Sequence, residues 1–339
     1  SVLFLMGANL LIGCSYRAEQ DSWISVLIAV AALVLWSLVL ARISKLCPGQ
    51  DVFSLVGQFP KWIRYPLWGI VTIYCFDQAA LTIRTYAGFV HLVTLQNTDI
   101  LIILALTCCA VWFFLNREDR VLYRFSYLSA IPIVFIILLL FCLLSSRFRV
   151  ETLFPIFYNN TNDVLLCAVE NVSFPLGNAF LLLGLISNPD HPKKAKSLWI
   201  SVTATAGILS LLIVFQDLLL LGGRTASVLD FPYNFSSSLV NVGDFFSRIE
   251  VFSSLFFFLS AILRSAYLMK LTSRGIRSFF SANPKAIALP LAALLCGYAA
   301  IAFKNTNSVF NYLEVFPYLA ILLQFGLPIL IWIFCERRN

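Results

Sequence analysis

Ten apolar runs, near residues 1–14, 22–41, 66–90, 99–115, 122–144, 164–187, 198–221, 243–270, 284–303 and 312–335, follow one another along the chain with short polar connections between them. Runs of this kind match the roughly 30 Å hydrocarbon layer of a bilayer, which leaves a chain few choices of fold. In lipid, backbone polar groups must be satisfied within a helix or a closed barrel. The alternating pattern of barrel strands is absent, so an all-α polytopic membrane protein with ten transmembrane helices is expected. With 60% hydrophobic and 12% charged side chains among 339 residues, there is too little polar surface to coat a soluble globule. The first run lacks a basic leader and is followed by further spans, which argues against a cleavable signal peptide. Ser1 already lies inside an apolar run, so the first helix is expected to be truncated at its N-terminus.

Charge placement supports the same layout. The connections after spans two, four, six and eight, with the C-terminal end, carry sixteen Lys and Arg residues, among them Arg117, Lys193, Lys194, Arg274 and Arg337. The opposite connections carry five: Arg17, Arg147, Arg149, Arg224 and Lys304. This alternation is a positive-inside pattern and predicts that both termini are cytoplasmic. The net charge of +7 therefore reports orientation, and its dispersal over several segments gives no reason to expect a nucleic-acid partner. Nine cysteines without a Cys-x-x-Cys pair, and two distant histidines, His91 and His191, support neither a metal site nor a disulfide framework. No P-loop, Gly-x-Ser-x-Gly or His-Glu-x-x-His motif occurs, so neither an enzyme nor a cofactor is expected.

Within the sixth span, Glu170 to Phe180 reads ENVSFPLGNAF, an unusual load of polar and helix-breaking residues for a lipid-crossing segment. Pro175 removes a backbone donor and clashes one turn back, and Gly177 adds freedom, so the helix is expected to break between Phe174 and Asn178. Backbone freed at membrane depth is tolerated where it is buried in protein or lines a polar cavity. The first span carries a similar signal, MGANLLIG from Met6 to Gly13, with Gly7 and Gly13 on either side of Asn9. Paired interruptions at corresponding positions of two five-helix halves point to an inverted-repeat transporter fold with a midplane site. The whole chain, 1–339, then forms one transmembrane domain, with a first repeat over about 1–144 and a second over about 164–335.

These segments, taken in order, resemble the endospore germination permease family, the B subunit of nutrient germinant receptors, within the amino acid–polyamine–organocation superfamily. The resemblance rests on MGANLLIG, on QDSW at Gln20 to Trp23 and on LCPGQDVFSLVGQFPKW at Leu46 to Trp62. It continues through IRTYAGFVHLVTLQNT at Ile83 to Thr98, SFPLGN with the later PKKAK, and LGGRTASVLDFP followed by GDFFSRIEVF. The chain departs from the family where Cys14, Ser15 and Tyr16 replace a proline after the first break, where Asn178 stands near a usual acid, and at Phe257 in place of a tryptophan. The resemblance implies a LeuT-like 5+5 inverted repeat with broken helices 1 and 6, located in the spore inner membrane of an endospore-forming bacterium. It also implies a small nutrient ligand such as an amino acid, A and C subunits of a receptor complex as partners, and membrane lipid around the helices. A secondary amino-acid transporter of the same superfamily is the alternative function.

The candidate ligand-binding residues are Gly7, Ala8, Asn9, Phe174, Pro175, Gly177 and Asn178, around which freed N–H groups suit a carboxylate because helix N-termini favour anions. Asp77, near the middle of the third span, joins them because an intramembrane acid is costly. Arg84, Glu170, Arg248 and Glu250 all fall in the outward third, and at least one carboxylate and one guanidinium among them are expected to pair as an outer gate. Arg264 is expected to snorkel from the cytoplasmic end of the eighth helix, and Asp51 to Pro66 to lie along the cytoplasmic interface.

Overall fold

The computed structural model describes residues 1–6, 17–157, 160–174, 176–186, 194–239, 250–280 and 283–338. Regular structure among these residues is entirely helical. In chain order the helices are α1 (Val2–Met6), α2 (Ser22–Leu46), α3 (Val52–Val56), α4 (Lys61–Phe89), α5 (Ile100–Leu115), α6 (Asp119–Leu144), α7 (Thr161–Ser173) and α8 (Leu183–Ile186). They continue with α9 (Ala195–Leu221), α10 (Gly223–Val228), α11 (Pro232–Ser238), α12 (Glu250–Phe279), α13 (Pro284–Ala302), α14 (Thr306–Ile321) and α15 (Leu327–Arg338).

Eight helical stretches among the described residues are long and apolar enough to cross a membrane. Of the other two expected spans, α5 has 16 residues, about 24 Å at the helical rise of about 1.5 Å per residue. The first is described only through Met6. The eighth span runs further than expected, with α12 continuing to Phe279 where an end at 270 was predicted. Asp51 to Pro66 also differs from its expected interfacial course. Val52, Phe53, Leu55 and Val56 of α3 are buried in the main core, capped by Asp51, which accepts from Ser54 N at 2.8 Å.

Helix boundaries follow local chemistry. Asp99 caps α5 by accepting from Leu101 N at 3.0 Å, and Asn305 with Ser308 forms a capping box on α14. Gly222, with φ of 77°, ends α9 in a region that a Cβ would make costly. Two π-helical turns occur, Val90–Thr94 at the end of the third span and Leu322–Gly326 in the middle of the tenth.

Spans two, three and four each pack on the span five later, the pairing a pseudo-symmetric repeat requires: α2 on α9, α4 on α12, and α5 on α13. Small residues set two of these contacts. A Cβ on Gly207 would lie 2.3 Å from Val30 Cγ1, and one on Gly275 would lie 2.0 Å from Thr72 Oγ1. Close backbone approach of this kind is how helices gain dispersion contacts where burial from water gives no drive. The inner half of α4, Gln78 to Phe89, is buried on every face, whereas Leu35, Ile73, Leu106 and Tyr127 remain 65–71% exposed on the outside. An apolar exterior of that kind needs hydrocarbon around it.

Candidate functional site

The sixth span breaks within the expected stretch. Helix α7 ends at Ser173, Phe174 is extended with φ −138° and ψ 122°, and the chain resumes as a 3-10 segment, Leu176–Leu182, before α8. Phe174 N still bonds Glu170 O at 2.9 Å, but the proline that follows has no N–H to offer, so the ladder stops there.

Carbonyls freed along the broken segments are taken up by side chains from other spans. Gln324, carried on the π turn Leu322–Gly326, donates through Nε2 to Ser173 O and to Tyr74 Oη, each at 2.7 Å. Tyr267 of α12 donates to Leu181 O at 2.7 Å, and Arg264 of α12 donates through Nη1 to Phe4 O, in α1, at 2.8 Å. Tyr74 donates to Asn178 Oδ1, and Asn178 Nδ2 donates to Gln78 Oε1 at 3.0 Å. Tyr74, Gln78, Asn178 and Gln324 are all buried, and two of their polar atoms, Gln78 Nε2 and Gln324 Oε1, have no partner among the described residues. The break is thus bordered by neutral groups that can both donate and accept. Gln324→Leu is expected to lower Tm by leaving the Ser173 carbonyl unpaired, a loss of about 1–3 kcal/mol. An unchanged Tm would show that this carbonyl has another buried partner.

Of the expected ligand residues, Phe174, Gly177 and Asn178 meet in this cluster and are buried. Gly7, Ala8, Asn9 and Pro175 lie outside the described residues. Asp77 turns to a different face of α4 from Gln78, since successive helical residues are rotated by about 100°. It accepts from Tyr298 Oη at 2.9 Å and Tyr312 Oη at 2.6 Å.

Of the four expected gate residues, Arg248 and the side chain of Glu250 lie outside the described residues. Arg84, 2% exposed, donates to the Phe303 and Lys304 carbonyls at 2.6 and 2.9 Å. Glu170 pairs with Arg17 at 3.6 Å, and Arg17 also reaches Glu314 at 3.5 Å. At the opposite end of the molecule, Arg274 bonds Asp51 at 2.7 Å and Asp119 at 2.5 Å, while Lys270 bonds Asp119 at 2.8 Å.

Two buried charges were misjudged or missed in the sequence. Arg264 does not snorkel: it is 0% exposed, fifteenth of the 30 residues of α12, with its Cζ 5.1 Å from the rings of both Phe4 and Phe174. Its Nε and Nη2 have no hydrogen-bond partner among the described residues. Asp217 of α9 is also 0% exposed; it accepts from Ser236 Oγ at 2.6 Å, and its Oδ2 has no partner among the described residues. Asp217, which the sequence reading did not single out, lies near the end of its span, and the buried loop helix α11 covers it.

Comparisons with known proteins agree with this architecture. A family model described as "Spore germination protein" matches residues 1–309. Spore germination protein KB of Bacillus subtilis (strain 168) is 22% identical over 342 residues, covering 98% of this chain and 91% of that protein. Spore germination protein YndE of the same organism is 23% identical over 331 residues, covering 95% and 88%. Among solved structures, the crystal structure of MhsT in complex with L-phenylalanine superposes with a TM-score of 0.65 at 15% identity, covering 96% of this chain and 87% of that one. That protein is a LeuT-fold transporter, and the likeness extends to the fold.

Proposed function

The chain belongs to the spore germination protein family, and from that premise we propose that it is the membrane subunit of a spore nutrient germinant receptor that binds a small nutrient, an amino acid. The observation that carries this reading is the break at Phe174, where unwound backbone meets the buried Tyr74, Gln78, Asn178 and Gln324 side chains. Buried polar atoms with no partner, as at Gln78 Nε2 and Gln324 Oε1, suit a polar visitor that supplies the missing bonds. The nutrient would sit between the first, third, sixth and eighth spans, against Gly7, Ala8 and Asn9 on one side and Phe174 to Asn178 on the other. Asp77, held by two tyrosines on another face of α4, would border that region.

In this reading the two halves, about 1–144 and 164–335, change their relative position when the ligand favours one arrangement over the other. Arg17 with Glu170 and Glu314 closes one end, and Arg274 with Asp51 and Asp119 closes the other. By the positive-inside pattern the Arg274 end and both termini would face the cytoplasm, and by family resemblance the membrane would be the spore inner membrane. The A and C subunits of the receptor would sense the change.

A second reading, a secondary amino-acid transporter, is favoured by the unpaired Asp217 Oδ2, because membrane-buried carboxylates commonly serve ion or proton pathways. Proteoliposomes loaded with an unlabelled amino acid separate the two. Thermal stabilisation by the amino acid without exchange of radiolabel supports the receptor, whereas sustained exchange would replace it with the transporter.

A further inference from the structure

Arg264 is a buried cation near the sixth-span break whose donors the fold leaves largely unused. A guanidinium keeps its charge and presents donors in a fixed planar fork, and in Arg264 only Nη1 is used, on the Phe4 carbonyl. Its other contacts are the rings of Phe4 and Phe174, which attract the charge but accept no conventional hydrogen bond. A fully buried cation with unmet donors is costly, because desolvation is offset only by an opposite charge with good hydrogen-bond geometry. No carboxylate faces it among the described salt bridges.

The two unmet donors are not scattered. Nε–H and Nη2–H lie side by side along one edge of the guanidinium, spaced to meet the two oxygens of a single carboxylate in parallel. The position matches too, since Arg264 bonds the backbone of the first span and touches Phe174 at the break of the sixth. Tyr74, Gln78, Asn178 and Gln324 around that break are neutral, so the region holds one positive charge to balance.

We propose that the Nε–Nη2 edge of Arg264 binds the carboxylate of the nutrient bidentately, which makes the ligand class a small monocarboxylate in which the free acid group is obligatory. This rests on the nutrient-binding reading above and names the residue that selects the ligand.

The test is thermal unfolding of the purified full chain with each of the twenty protein L-amino acids and, alongside, each one's carboxamide. At least one amino acid is expected to stabilise the wild-type chain, with its carboxamide at least tenfold weaker. Arg264→Lys keeps the charge but loses the fork, and is expected to weaken the amino acid at least tenfold while leaving the carboxamide unchanged. Equal stabilisation by acid and amide in the wild type would overturn the role of Arg264 and leave nutrient binding standing. Full-strength binding of the acid by a folded Arg264→Lys chain would do the same. Stabilisation by none of the forty compounds would instead remove the nutrient-binding reading, and this assignment with it. The wild-type comparison needs no variant, so the outcome does not depend on whether Arg264→Lys folds.

Discussion

Gly177→Leu abolishes the response to nutrient while the protein still reaches the membrane: that is the expected result, and the geometry of the break gives its cause. A Cβ at position 177 would lie 2.2 Å from Gln324 Oε1, 2.6 Å from its Cδ and 2.8 Å from the Val172 carbonyl oxygen. Gln324 can swing away only by giving up its bonds to Ser173 O and Tyr74 Oη. The carbonyl of Val172 belongs to the last turn of α7 and cannot move without shifting the break itself. Overpacking of about 1–3 kcal/mol therefore falls on the atoms proposed to face the ligand. Gly297→Leu is the control, because a Cβ there meets nothing within 4 Å. Germination assays of spores carrying each variant, with membrane levels measured in parallel, decide the matter. A normal nutrient response in Gly177→Leu spores would falsify the placement of the site at this break.

Gly275→Leu is expected to be strongly destabilising although it lies outside the site. Its Cβ would meet Thr72 Oγ1 at 2.0 Å and the ring of Phe53 at 2.8 and 2.9 Å, so α12 would be wedged off α4 and α3. The strain reaches Arg274, the preceding residue, whose bonds to Asp51 and Asp119 depend on α12 lying close. A cost of about 3 kcal/mol or more is expected. Lower yield of monodisperse protein and a Tm depressed well below that of Gly297→Leu would register it. A wild-type Tm would mean that α12 and α4 tolerate separation, against the packing described.

Much of the architecture was legible because the bilayer imposes it. Apolar length, charge alternation and the absence of strand patterning depend on the solvent rather than on tertiary detail, and helix lies at every expected span among the described residues. The sixth-span break was legible because Pro175 is joined by Gly177 in a polar run, whereas Pro132, set among apolar residues, stays inside α6. Arg264 was not legible, because a boundary error changed its meaning. Placed in a span ending at 270 it sits near the edge, whereas in α12, which runs to Phe279, it lies at the centre. Asp217 and Gln324 escaped for another reason. Asp217 is sealed by a loop helix, and Gln324 is aimed by a π turn, and neither arrangement leaves a periodic trace in the sequence. Asp77 drew attention as an intramembrane acid, while its neighbour Gln78, one step round the helix, is the residue that reaches Asn178.

The ionic contacts at the two ends differ in tightness. One guanidinium grips two carboxylates at 2.5 and 2.7 Å, whereas Arg17 reaches Glu170 and Glu314 from 3.6 and 3.5 Å. Ion pairs at such lengths are worth about 0–1 kcal/mol, so the two Arg17 contacts are individually weaker than those of Arg274. In the receptor proposed above the Arg17 contacts would be the first to yield, and a molecule arriving from that side would meet the softer of the two closures.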